Sequence, residues 1–356
     1  MRIAILVGGL PPLYNGGTEN ATVNIAKYAA KAGHEVHVIA ANSYSNRAVT
    51  YSALQEGFKV HRVATIKPHY LHGIVYIPPA VTKIMSLKPD LIHAQAMYMC
   101  PSALIANKIL GIPYIFFERG GVNQKSIWRK PLYQLFMRNA KRVIAQTDDQ
   151  RRTLLSLVQR DIEVIPNGIE LERFGKVGKI QARHLLGLPP NKKVILSVGR
   201  CRVEKNLKNF VKCAALRGQE VNQYILVGDG PELEELKRMA TPNVLFTGSV
   251  KNEDIPKYMS AADILVNTSH FEGFPNVFLE GMATGLPIIA PRVSGIPEII
   301  EEGVNGILTK PDDYTSTYEA IEYLLRSYEV TDSMSRMNKL KAKRYTWENV
   351  VRRLYG

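Results

Sequence analysis

Residues 262–298 read ADILVNTSHFEGFPNVFLEGMATGLPIIAPRVSGIPE. Ile264 to Val266 are apolar and β-rich, and Asn267 to Gly273 break that pattern with polar residues, as at the carboxyl end of a parallel strand. Pro275 suits the first position of a helix, where a missing amide proton costs nothing, and the amides of Asn276 and Val277 then face outward as an anion site. A second apolar strand closes the stretch. Strand, loop, helix and strand in this order predict an α/β fold with its ligand at the carboxyl edge of a parallel sheet.

Glu272 falls just before the helix and Glu280 in its second turn. A carboxylate beside those amides would repel a bound phosphate, so each glutamate is better matched to neutral hydroxyls at one end of a ligand whose diphosphate lies between them. A nucleotide sugar has that layout. Glu272 and Glu280 bracket seven residues, and the spacing resembles the Glu-x7-Glu motif of retaining glycosyltransferases of family four. The following GMATGLPIIAPRVSGIPEII is similar to the rest of that signature. The resemblance implies the GT-B fold, with two Rossmann-like, doubly wound α/β domains facing across a cleft. It also implies that Glu272 orients the transferred sugar and Glu280 the ribose hydroxyls, with Gly273, Phe274, Asn276 and Val277 beside the donor. Surface glutamates on an ordinary helix are the plain alternative for either residue alone.

Upstream, Val194 to Val198 forms a strand followed by Gly199, Arg200 and a helix starting near Lys205. Arg200 offers a planar fork for phosphate oxygens and Lys205 a mobile point charge. SVGRCRVEKNL resembles the family's phosphate clamp. LVGDGPE contributes Gly228, and VLFTGSV contributes Gly248 and Val250, which the resemblance places against the nucleobase through backbone groups. No Asp-x-Asp occurs in the chain, so the expected donor site is metal-independent, with Arg200, Lys205 and the helix amino terminus stabilising the leaving group.

The amino-terminal half alternates in the same way. Ile3 to Val7 is a strand, Gly8 to Gly17 a glycine- and proline-rich loop, Thr18 to Ala32 a helix, and Val36 to Ala40 a parallel strand. The glycines do not fit G-x-G-x-x-G, which weakens a dehydrogenase reading. NGGTEN resembles the family's glycine loop, which implies that Gly16 and Gly17 approach the donor phosphate. Turn-making is the plain alternative. Further strands are expected at Lys59 to Val63, Leu91 to Ala94, Pro113 to Phe117, Arg142 to Ala145 and Glu163 to Ile165, with a helix around Ala103 to Leu110.

After Phe117 come Glu118 and Arg119, where many relatives carry a histidine. Arg119 is suited to an anionic sugar or phosphate, and Glu118 to acting as a base or to neutralising Arg119. His93 reads as a hydrogen-bonded structural residue. Lys125 to Arg142 holds six basic residues and no acidic one, with Trp128, Leu132, Leu135 and Phe136 at helical spacing. That stripe fits a core-packed helix. The alternative is a basic amphipathic helix on an anionic membrane surface.

The chain has 356 residues, too many for one core, and VIPNGIE resembles the family's interdomain segment. The expected domains are 1–172 and 173–342, with a terminal helix in 343–356 packing back on the first through Trp347, Val350, Val351 and Leu354. The formal net charge is +14. Residues 1–172 hold 20 Lys/Arg against 11 Asp/Glu, leaving 26 against 21 for the rest, so the first half is the more basic. That balance favours anionic partners without naming one, and no nucleic-acid module pattern accompanies it. Hydrophobic content of 46% excludes disorder, and no apolar run approaches a membrane span. Cys100, Cys201 and Cys213 read as reduced thiols of a cytoplasmic protein, peripheral on the membrane at most.

The expected activity is transfer of a sugar from a UDP- or GDP-linked donor to a glycan, lipid-linked or small-molecule acceptor, with no further cofactor. The rivals are a GT-B epimerase or phosphorylase and, in another class, a basic membrane- or nucleic-acid-binding module without catalysis.

Overall fold

The computed structural model describes residues 1–11, 16–42, 56–64, 72–119, 129–216 and 222–356. The chain divides into two compact units. One comprises Met1–Gly168 with Trp347–Gly356, and the other Ile169–Thr346.

In the first unit β1 (Arg2–Val7), α1 (Gly17–Lys31), β2 (Glu35–Asn42) and β3 (Lys59–Ala64) are followed by α2 (His72–Leu87), β4 (Leu91–Gln95) and α3 (Cys100–Leu110). Then come β5 (Tyr114–Phe117), α4 (Lys130–Asn139), β6 (Arg142–Ala145), α5 (Asp148–Leu155) and β7 (Glu163–Val164). The seven strands pair in the order β3-β2-β1-β4-β5-β6-β7, all in parallel. Ile3, Ile5, Leu6 and their neighbours in β1 are fully buried, as in a sheet covered on both faces. The sequence reading did not include α2, because Pro78 and Pro79 lie inside it and interrupt the usual helix signal.

The second unit holds α6 (Lys179–Leu185), β8 (Lys193–Val198), α7 (Leu207–Ala215), β9 (Asn222–Val227), α8 (Leu233–Met239), β10 (Val244–Gly248), α9 (Ile255–Ala261) and β11 (Ile264–Val266). It continues with α10 (Asn276–Thr284), β12 (Ile288–Pro291), α11 (Ile296–Ile299), β13 (Gly306–Thr309), α12 (Tyr314–Arg326) and α13 (Tyr328–Ala342). Its parallel sheet runs β10-β9-β8-β11-β12-β13. Residues 169–172, expected at the end of the first domain, lie in this unit, where the Ile169 amide donates to the Tyr345 carbonyl at 2.7 Å.

The last helix, α14 (Trp347–Tyr355), belongs to the first unit. Trp347, Val350, Val351 and Leu354 are buried in the same cluster as Ile3, Ile5 and Phe117. Gly168 shows how tightly this packs, because a Cβ there would stand 2.6 Å from the Trp347 ring. Among the described residues no helix is long and apolar enough to cross a membrane.

Candidate active site

In each sheet the strand order reverses once, between β1 and β4 and between β8 and β11. Loops leaving the carboxyl ends of such a pair splay apart and open a crevice. In the second unit those two loops carry the residues singled out above.

Residues 267–273 leave β11. Asn267 and Ser269 fold the loop on itself, with the Ser269 amide donating to Asn267 Oδ1 at 3.0 Å. Both side chains then serve Glu272: Asn267 Nδ2 donates to Oε1 at 3.1 Å and Ser269 Oγ at 2.6 Å. Lys205 Nζ donates to both carboxylate oxygens, at 2.7 and 2.9 Å. Glu272 is 7% exposed. A buried carboxylate with a bidentate cation and two neutral donors is fixed in direction, which a reacting centre requires.

Lys205 ends a short 3₁₀ turn over Val203–Lys205, and α7 begins at Leu207 after Asn206 in the left-handed region. The expected helix start at Lys205 is therefore corrected by two residues. Two bonds tie this turn to the other loop: Thr268 Oγ1 donates to the Lys205 carbonyl at 3.1 Å, and the His270 amide to the Glu204 carbonyl at 2.9 Å. Arg200, just beyond β8, is exposed.

Pro275 is the cap of α10 rather than its first residue, because its ψ of 103° is extended. Gly273 has open space where a side chain would stand. Glu280 is held differently from Glu272. No hydrogen bond or ion pair reaches its carboxylate among the described residues. It keeps some exposed surface, but dense surroundings raise its pKa to about 7, against a smaller downward pull from Arg173.

The glycines expected beside the donor divide into two kinds. Gly199 has room around it, whereas a Cβ on Gly228 would stand 1.8 Å from the Gly199 carbonyl oxygen, and Gly228 N–H donates to Gly248 O at 2.9 Å. Gly228 and Gly248 both have positive φ, at 146° and 68°. Backbone conformation favours glycine at both, and at Gly228 the close approach of the Gly199 carbonyl requires it. Val250 packs partly buried on the core of this unit.

In the first unit Glu118 and Arg119 follow β5. The expectation that Glu118 neutralises Arg119 fails. Glu118 is buried, with Tyr133 donating to its Oε2 at 3.2 Å, whereas Arg119 stacks over Phe117 at 4.1 Å and donates to Asn167 Oδ1 at 2.6 Å. Tyr133 and Phe117 belong to different core clusters, so consecutive residues turn to opposite faces of the sheet. Arg119 is 7% exposed, and its Nε and Nη2 have no hydrogen-bond partner among the described residues. Burial lowers its pKa to about 9. Beneath it, His93 Nδ1 lies 2.6 Å from the Tyr355 hydroxyl, and burial holds that imidazole neutral, with a pKa of about 3.

Gly16 caps α1, and its carbonyl accepts the Asn20 amide at 3.0 Å. The neighbouring loop residues 12–15 lie outside the described residues, as do Lys125 and Trp128. On α4 the expected apolar stripe is corrected. Tyr133, Phe136 and Met137 are buried, while Leu132 and Leu135 are 47% and 46% exposed. Among the described residues no group of three or more His, Cys, Asp or Glu side chains is arranged to hold a metal ion.

Sequence reasoning passed over Asn267, Ser269 and Asn167. The polar triplet Asn267-Thr268-Ser269 directly after a buried strand was the available signal; Asn167 had none.

Comparison with known proteins places this geometry. Residues 179–342 match the family model for glycosyl transferases group 1, and residues 15–173 match that for glycosyltransferase family 4. The chain is 29% identical over 342 residues to a GDP-mannose-dependent alpha-mannosyltransferase of Corynebacterium glutamicum, covering 90% of this chain and 79% of that protein. The chain belongs to glycosyltransferase family 4. To the sulfoquinovosyl transferase SQD2 of Arabidopsis thaliana this glycosyltransferase is 26% identical over 372 residues, covering 97% and 71% of the two proteins. The solved structure of Anabaena HepE in complex with UDP and glucose superposes with a TM-score of 0.85 at 22% identity, covering 99% and 98% of the two chains. The glycosyltransferase has the GT-B fold, each unit a Rossmann-like parallel sheet.

Proposed function

We propose that this glycosyltransferase moves a sugar from a UDP- or GDP-linked donor to a glycan, lipid-linked or small-molecule acceptor, with retention of anomeric configuration and without a metal. The observation that carries the reading is the convergence of Lys205 and Glu272 at the strand-order reversal of the second sheet, with Arg200 on the same loop as Lys205. Relatives named for GDP-mannose dependence or solved with UDP support a nucleotide-sugar donor.

In this reading Lys205 and Arg200 neutralise the departing diphosphate, with the amides at the start of α10 adding a fixed dipole. Glu272 accepts from hydroxyls of the transferred sugar, and Glu280 from the ribose. Gly248 and Val250 lie along the base. The acceptor attacks on the face the diphosphate leaves, with the leaving phosphate taking the acceptor's proton. Arg119, buried with no carboxylate partner among the described residues, pairs an anionic group of the acceptor.

A donor screen reading released nucleoside diphosphate, with the product's anomeric proton read by NMR, tests this. Inverted product overturns retention; loss of activity in EDTA, restored by manganese or magnesium, overturns metal independence. Conversion of the donor with no sugar on any acceptor would favour an epimerase or phosphorylase.

Peripheral membrane contact is the second proposal, supported by exposed Leu132 and Leu135 beside exposed Arg129, Lys130 and Arg138 on α4. Sedimentation with anionic vesicles, lost in Leu132→Glu with Leu135→Glu, checks it.

A further inference from the structure

The 3₁₀ turn that carries Lys205 is bonded to the Glu272 loop through Thr268 and His270. A third loop joins them. Asp312 stands between β13 and α12, and its Oδ1 accepts from Asn206 Nδ2 at 2.9 Å and lies 2.8 Å from His270 Nδ1. Asn206 follows Lys205 directly, and His270 lies two residues before Glu272. One carboxylate oxygen thus links the chain neighbours of both members of the Lys205–Glu272 pair.

Strand pairing alone does not bring these loops together, because β13 is the edge strand and β12 and β11 lie between it and β8. Helix packing does. Phe210 and Val211 of α7 share a core cluster with Ile321 and Leu324 of α12, and Cys213 Sγ donates to the Tyr314 carbonyl at 3.1 Å. This packing carries the loop before α12 against the start of α7.

Asn206 and Asp312 are both in the left-handed region, with φ of 45° and 59°. Five non-glycine residues have positive φ among the described residues, and these two bond each other. Asn and Asp enter that region more readily than other residues with a Cβ, but at a cost that glycine avoids. The His270–Asp312 pair is too exposed to add much to stability. Backbone held in a sparsely populated region for little stability, beside a reacting centre, marks a positional role.

We propose that Asp312 is a positioning residue for sugar transfer, which holds Asn206 and His270 together and so fixes the direction in which Lys205 is presented beside Glu272. Lys205 is a flexible side chain on a turn of three residues, and its aim depends on the backbone at both ends of that turn. Within the turn Lys205 N–H donates to the Arg202 carbonyl at 2.9 Å and Asn206 N–H to that of Val203 at 3.1 Å. Asp312 fixes the exit into α7. The inference rests on Lys205 acting at the departing diphosphate.

Two measurements on the full chain test it. Amide hydrogen exchange reads the tether with no ligand present. In Asp312→Ala the amides of Lys205, Asn206 and His270 exchange about fivefold faster than in the wild type, as for one lost hydrogen bond, whereas Asp312→Asn keeps an acceptor and the wild-type rate. Turnover is read as nucleoside diphosphate released from saturating UDP-glucose or GDP-mannose, and where neither is used the exchange result decides alone. The kcat falls about tenfold in Asp312→Ala and in Asp312→Gly with KM little changed, and Asp312→Asn restores it. Glycine relieves the left-handed backbone, so loss in that variant separates the tether from strain. In a Lys205→Met background Asp312→Ala has no further effect, because Asp312 acts through Lys205. Equal exchange in wild type and Asp312→Ala overturns the inference, as does a loss of kcat that Asp312→Asn shares or that adds in full to that of Lys205→Met. Normal turnover in Lys205→Met instead overturns the diphosphate assignment, and this inference with it.

Discussion

Two acid-base pairs stand at the carboxyl ends of parallel strands in this protein, and they behave in opposite ways. Lys205 and Glu272 are 67 positions apart and bonded at 2.7 Å. Glu118 and Arg119 are adjacent in sequence and do not bond each other; one turns to Tyr133, the other to Asn167. Neighbours in an extended segment alternate between faces, whereas loops from two strands flanking a strand-order reversal converge. Sequence adjacency is therefore a poor guide to pairing at such an edge, and strand order a good one. The electrostatic states differ too: both carboxylate oxygens of Glu272 are hydrogen-bonded, while two nitrogens of Arg119 have no partner among the described residues.

The contrast is sharpest in turnover. Lys205→Met and Arg200→Ala should each slow the chemical step by roughly 10²- to 10³-fold, as for one lost donor at a developing negative charge. Steady-state rates on saturating donor measure this, and normal turnover in both variants would remove the leaving-group assignment.

Stability should separate the two pairs next. Lys205→Met leaves a buried carboxylate with only neutral donors and should cost about 1–3 kcal/mol. Arg119→Met removes a buried guanidinium that has no counter-charge among the described residues and should be neutral or stabilising by ~1 kcal/mol, while raising KM for an anionic acceptor. Denaturant midpoints decide it; comparable losses in both variants would break the comparison.

Glu280 offers a pH test. Its folded pKa of about 7 lies above the unfolded carboxylate value, so the folded state binds the extra proton. That contribution is fully present below the unfolded pKa and is lost as pH rises through about 7. Glu280→Gln should therefore gain about 1–2 kcal/mol on the wild type between pH 5 and 8. The same variant should bind nucleoside diphosphate more weakly, because a neutral amide accepts less well from ribose hydroxyls. Glu272→Gln should keep that affinity and lose kcat. A pH-independent stability difference, or the reverse binding result in calorimetry, would reverse the roles.

The smallest effect belongs to α4. Leu132→Glu with Leu135→Glu should shift stability by no more than about 0.5 kcal/mol, because both side chains are exposed. A large loss in thermal unfolding would mean that the face is covered.

Much of this protein was legible without coordinates. Apolar runs such as Ile264 to Val266 and Ile3 to Val7 are too short and too β-branched for anything but buried strands, and loops rich in glycine or polar residues mark the strand ends. Periodicity also marked the apolar face of α14, where four residues at helical spacing left one choice of side. It failed on α4, where Leu132, Leu135 and Phe136 describe one stripe and Tyr133, Phe136 and Met137 another. Both stripes are apolar, and only the sheet beneath decides which is covered. In the same way the sequence indicated Glu272, Lys205, Glu118 and Arg119 as residues of interest but not their partners. Residue type and spacing are local properties. Strand order, which brings Lys205 to Glu272 and parts Glu118 from Arg119, arises from pairing between segments far apart in the chain.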